Sequence, residues 1–164
     1  MLNFYLIRNL KSLTYNSLSI RVKGKPMKEA VIQATENFCS TILCEIPQKA
    51  SELGSYFYGS AIALVENEME HTWYLFFEKK VLDEIALNLL FEENLCENDL
   101  DDLLKEIANQ IIGSAKVILE EKYPHNDYHL SVPEFMGNVA TPFPIPLQET
   151  QHYQIKNSTF VIAK

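Results

Sequence analysis

The sequence predicts an α+β fold in which an antiparallel β-sheet packs against long α-helices. Three observations carry this expectation. Apolar residues recur at helical steps over about 27–44 and again over about 99–122. Between them lie two runs rich in aromatic and β-branched residues, 56–65 and 72–77. After the second helix come further extended pieces with no helix among them, so the strand–helix alternation of a parallel sheet is missing.

The elements follow in order. Ala30, Val31, Ala34, Phe38, Ile42 and Leu43 recur at three- and four-residue steps and give an amphipathic helix over 27–44. Pro47 ends any continuation, because it lacks the backbone donor. The runs YFYGSAIALV and TWYLFF read as a hairpin, with Asn67, Glu68 and Glu70 as its polar turn. Trp73, Tyr74, Phe76 and Phe77 are expected to pack the sheet rather than line a ligand site. A short helix is expected over 80–91, with Val81, Ile85, Leu89 and Leu90 inward. The acidic stretch 92–102 then leads into a long helix that runs to Lys122, with Asp99 as its expected cap. The segment 124–127, Pro-His-Asn-Asp, breaks that helix. Extended pieces are expected at 127–132, 136–142 and 152–163. The last contains a polar Lys156-Asn157-Ser158 interruption that predicts a bend or loose pairing.

At 164 residues the chain fits one domain, expected over 27–164. Residues 1–26 carry Arg8, Lys11, Arg21, Lys23 and Lys25 and no acid. That composition imitates an organellar transit peptide and lacks the order of a secretory signal. Lys23-Gly24-Lys25 just ahead of Met27 equally suits initiation at Met27, which would leave 1–26 as an extension through a misassigned start. No function is placed there. The rest of the chain holds nine basic against 22 acidic side chains, a net of −13. Such a body lacks the phosphate-neutralising surface that nucleic acid requires. It suits a protein partner offering positive groups at a defined spot. No apolar run is long enough for a transmembrane helix, so no membrane role is expected. Cys39, Cys44 and Cys96 are an odd set without metal-like spacing, which argues against a disulfide scaffold and for a reducing compartment, and Cys39 and Cys44, five apart in a helical stretch, are expected as small buried apolar side chains.

The chemistry is expected on the long helix. At about 100° per residue, Asp102, Glu106, Asn109 and Gly113 fall within a stripe about 60° wide. Leu104, Ile107, Ala108, Ile111, Ala115, Ile118 and Leu119 lie on the opposite side. Burying that apolar side turns the stripe to solvent. Any surface helix has a polar face, but Asn is a mediocre helix former and Gly costs about 1 kcal/mol relative to Ala in a helix interior. Both on one exposed stripe is a local conflict of the kind that marks sites.

Asp102-x3-Glu106-x2-Asn109 resembles the signature helix of the CheC, CheX and FliY phosphatases: an acid or Ser, three residues, Glu, two residues, Asn. Pro133, 24 residues after Asn109, matches the downstream proline of that family. EIANQIIG over 106–113 and Pro133-x3-Gly137 are similar to CheX in particular, and the resemblance covers about 27–150. CheC-type proteins often carry two such helices. The helix at 27–44 has Glu36 beside Asn37, which point about 100° apart, so one site per chain is expected, as in CheX.

The resemblance implies a CheC-like fold and a cytoplasmic chemotaxis enzyme that dephosphorylates the aspartyl-phosphate of the response regulator CheY. It implies that Asn109 orients the attacking water and that Glu106 pairs with the receiver's lysine. Asp102 and Gly113 would serve docking, and Pro133 would be structural. No metal or cofactor is expected on this chain, since the Mg²⁺ belongs to the partner CheY. A homodimer formed partly through sheet edges is implied, and the apolar run 56–65 is expected to need covering. The rival reading is a non-catalytic module of the same fold that docks a receiver or a flagellar switch component. No Walker-type phosphate loop and no GxSxG elbow is present. His125-x3-His129 lacks an evident third metal ligand.

Overall fold

The computed structural model describes residues 25–164. The expected extension therefore lies outside the described residues, apart from Lys25 and Pro26. These two form the N-cap and first turn of helix α1, Pro26–Ile42, where a proline's missing donor is harmless. A two-residue strand β1, Gln48–Lys49, follows. Strands β2, Tyr56–Glu66, and β3, Met69–Phe77, form the expected hairpin, paired from Tyr58–Phe77 to Glu66–Met69. Asn67 and Glu68 turn it with φ of 48° and 69°, the left-handed pair that suits a two-residue hairpin loop.

Helix α2, Lys79–Leu90, leads to helix α3, Glu97–Lys122. Here one expectation is corrected. Asp99 does not sit at the N-cap of α3 but one turn inside it. Its carboxylate reaches back to accept from the Cys96 backbone N–H at 3.3 Å and from the Cys96 thiol at 2.9 Å. Cys96 is thus the cap, in a capping-box arrangement.

The remaining strands are β4, Tyr128–Leu130, β5, Glu134–Ala140, β6, Gln151–Ile155, and β7, Ser158–Ala163. The piece expected at 152–163 does turn at its polar interruption, but its pairing is tight: β6 and β7 form an antiparallel hairpin with Ile155 opposite Ser158. Lys156 takes a φ of 52°, so the turn forms without glycine and left no glycine signal in the sequence.

The sheet order is β1-β6-β7-β3-β2-β4, with β5 pairing a different stretch of β2 from β4. Strand β2 is therefore bonded on both sides within the chain. The covering expected for 56–65 is supplied within the chain, by β3 on one side and by β4 and β5 on the other. Helices α1, α2 and α3 cover one face with a core that includes Trp73, Leu75, Phe77, Leu82, Leu104, Ile107 and Ile111. Phe143, Ile145 and Leu147 close the other face over Phe57, Phe76 and Val161, and Phe143 stacks on Phe76 at 4.4 Å between centroids. With both faces covered, all six residues of β7 are buried.

The cysteines need a further correction. Cys39 is buried and its thiol is pushed up to about 12 by burial, with Glu36 and Glu45 adding to the effect. Cys44 and Cys96 are exposed, because Cys44 follows the end of α1 and Cys96 caps α3. All three are free thiols.

Candidate functional site

Helix α3 positions the candidate site by burying its other side. Leu100, Leu103, Leu104, Ile107, Ala108, Ile111, Ile112, Ala115 and Leu119 are all buried, against α1 and β2. With that side fixed, rotation of α3 about its axis is fixed too. Asp102 and Asn109 are exposed, and Glu106 and Gly113 are half-buried. The four residues stand one turn apart along one line of the helix.

Each has distinct surroundings. The Glu106 carboxylate accepts a hydrogen bond from the Gln110 amide at 2.8 Å through Oε1, and among the described residues no cation pairs with it. Among the described residues no side chain bonds the Asn109 amide, so its donor and acceptor are both open to a partner. The neighbouring cations are engaged: Lys105 pairs with Asp101 and Lys116 with Glu120, each at 2.6 Å. The hydrogen bond to Asp101 is the main reason Lys105 titrates above its ordinary value. The stripe therefore presents carboxylates and an amide with no competing positive group on its line.

Gly113 is not required by the packing of its own fold. A Cβ there would meet only the Leu130 side chain, at 3.7 Å, which is ordinary contact. Its cost to the helix thus has no internal compensation. Pro133 is buried immediately before β5, in the short link from β4. That link is anchored by two hydrogen bonds: Ser131 N–H donates to the Ala63 carbonyl at 2.9 Å, and Ala63 N–H donates to Ser131 Oγ at 2.8 Å. Helix α3 contacts both β4 and β5, so the link runs along it near Gly113. Asp102, Glu106, Asn109 and Gly113 thus share one surface. Pro133 is the buried residue of the link beside it.

Sequence reasoning did not single out Gln110, which holds one oxygen of Glu106. The signal was present as an i,i+4 Glu/Gln pair. His125 is exposed in the turn after α3, and the His129 ring bonds Asp127 at 2.8 Å. Among the described residues no group of three or more His, Cys, Asp or Glu side chains is placed to hold a metal ion. No helix among them is long and apolar enough to cross a membrane.

A family model described as "Chemotaxis phosphatase CheX" matches residues 59–154, more than half of the chain. No curated protein sequence matches it. Among solved structures, the fold is similar to a CheC-like superfamily protein from Shewanella sp. PV-4 (TM-score 0.67, 16% identity, 85% of this chain and 96% of that one). It is similar to the chemotaxis protein CheX from Vibrio vulnificus (TM-score 0.66, 19% identity, 85% and 97%). A third similar structure is that of a CheX–CheY–BeF3–Mg complex from Borrelia burgdorferi (TM-score 0.60, 15% identity, 82% and 94%). At these identities the structural likeness carries the fold, and it is the mixed helix and antiparallel-sheet fold the sequence predicts.

Proposed function

The chain belongs to the chemotaxis phosphatase CheX family, and from that premise we propose that it dephosphorylates the aspartyl-phosphate of a CheY-type receiver domain. The observation that carries this reading is the stripe on α3, where Glu106 and the unpartnered Asn109 amide face solvent from one line of a rigid helix. The relative from Borrelia burgdorferi, solved with CheY, BeF3 and Mg, supports a receiver as the partner.

The phosphoryl group of an aspartyl-phosphate is already activated by the receiver's own Mg²⁺ and lysine. What remains is to hold a water in line with the leaving carboxylate oxygen, since phosphoryl transfer depends mainly on positioning and electrostatics. Asn109 supplies this. Its amide oxygen accepts from the water while its N–H₂ donates to a phosphoryl oxygen. The water oxygen attacks phosphorus, the bond from phosphorus to the aspartate oxygen breaks, and the products are a carboxylate and inorganic phosphate, which keeps one of the water's protons while the other passes to solvent. A neutral amide suits the task, because a carboxylate in its place would oppose the phosphoryl charge.

Glu106 forms an ion pair with the receiver's lysine and fixes the register of the two proteins. Gln110 leaves one Glu106 oxygen free for that contact. Asp102, one turn earlier, contributes to docking, and Gly113 leaves clearance for the partner. Pro133 is structural and holds the entrance of β5 beside the helix. The chain itself contributes no metal, and we place its active form as a homodimer.

The test is phosphate loss from phosphorylated CheY of the same cell. Wild type is expected to accelerate it. Asn109→Ala should lose the acceleration while still binding, and Glu106→Ala should lose binding. Wild type that binds without acceleration would reject the enzyme and leave a docking module.

A further inference from the structure

Three helical carboxylates among the described residues are answered by a lysine one turn away. Lys79 pairs with Asp83 on α2 at 2.7 Å, and on α3 Lys105 pairs with Asp101 and Lys116 with Glu120, each at 2.6 Å. Glu106 is placed differently. One turn before it stands Asp102, a like charge, and one turn after it stands Gln110, a neutral amide. An acid followed four residues later by Lys is the favourable order for an intrahelical pair, and Asp101 with Lys105 shows that α3 forms it. A lysine at 110 would therefore steady the helix, and the amide forgoes that gain. Instead the Gln110 amide donates to Glu106 Oε1 at 2.8 Å, with both side chains half-buried. It restrains the carboxylate as a lysine would, and leaves its charge whole.

We propose that Gln110 is a positioning residue for the receiver's cation, fixing the direction of the Glu106 carboxylate without neutralising it. The inference rests on the receiver reading above and deepens it, because it accounts for a carboxylate that is both ordered and free to pair. Glu is a long side chain, and ordering it on docking costs conformational entropy. A side chain already held by a neighbour loses less when the partner arrives. Holding it with a cation would have the opposite result. The receiver's lysine would then displace an internal one, and a new ion pair would replace an old one with little net gain. The restraint is also one-sided: Gln110 takes up Oε1, so Oε2 remains for the incoming ammonium. On the helical projection Gln110 and Lys105 lie on opposite flanks of Glu106. The amide therefore draws the carboxylate to the side away from the cation that Asp101 holds.

The experiment is calorimetric titration of the full chain with CheY of the same cell, held in its activated form by beryllofluoride and Mg²⁺. Gln110→Met, which keeps the length and loses the amide, should raise Kd about threefold. Gln110→Lys should raise it about tenfold while unfolding at no lower a temperature than wild type, because it gains the intrahelical pair. In turnover the loss should appear in KM, with kcat within about twofold of wild type. In a Glu106→Ala background, Gln110→Met should cause no further loss of binding, since no carboxylate is left to hold. If Gln110→Met and Gln110→Lys bind as wild type does while Glu106→Ala binds weakly, the positioning role is rejected and the receiver reading survives. A loss on Gln110→Met that persists in the Glu106→Ala background would also reject it, because Gln110 would then act on its own. If wild type does not bind the activated receiver, both fall.

Discussion

Helices α1 and α3 lie side by side over the same face of the sheet, and each carries a Glu and an Asn on its outer side. On α1 they are Glu36 and Asn37, adjacent in sequence and both exposed. On α3 they are Glu106 and Asn109, one turn apart. Adjacent helical residues diverge by about 100°, whereas residues three apart diverge by about 60° and stack along the axis. A partner surface can therefore meet Glu106 and Asn109 together, and would meet Glu36 or Asn37 singly. The inner faces of the two helices are alike: Val31, Ala34 and Phe38 on α1 and Ile107, Ala108 and Ile111 on α3 are all buried in one core. What distinguishes the proposed site from its support is spacing, not composition.

The largest expected effect tests the likeness of the inner faces. Phe38→Ala and Ile107→Ala should each lower unfolding stability by about 2–5 kcal/mol, read by urea denaturation. A much smaller loss at Phe38 would mean that α1 is not an equal partner in the core.

A middle-sized effect separates the outer faces. Gly113→Ala should raise stability by up to about 1 kcal/mol, because the added methyl meets only Leu130 at ordinary distance. The same variant should bind the activated receiver several-fold more weakly. A variant that is both more stable and unimpaired in binding would remove the clearance role.

The smallest effect lies away from the stripe. His71 borders a cavity of about 320 Å³ that Glu66, Asn126, Lys25, Glu149 and Lys164 also line. Burial, reinforced by Lys164, lowers its pKa below the ordinary imidazole value, against the opposing pull of Glu66 and Glu149. The unfolded chain therefore takes up a proton at a pH where the folded chain does not. Stability should fall as pH drops through about 6.5. His71→Gln should show a shallower fall in Tm over that window, and an unchanged slope would assign it to other groups.

The stripe was legible from sequence because it needs only helical geometry and the position of the apolar side. The β2–β3 hairpin was legible because its two runs are long and its turn is polar. Other features depend on contacts far apart in the chain. Strand β1 is two residues long and exists because β6 pairs with it. The course of the β4–β5 link depends on Ser131 bonding Ala63, 68 residues earlier. The β6–β7 turn uses Lys156 at positive φ, which no glycine announced. Cys96 took the cap expected of Asp99, because a carboxylate one turn inside a helix can reach back to the cap.

The most direct test of a single site on α3 compares its Asn with that of α1. The rate of phosphate loss from phosphorylated CheY would be measured with wild type, Asn109→Ala and the double variant Glu36→Ala/Asn37→Ala at equal receiver occupancy. The account predicts a loss of about 100-fold for Asn109→Ala, the scale set by a misplaced reacting group, and the wild-type rate for the double variant. A full rate with Asn109→Ala, or an equal loss in the double variant, would contradict it.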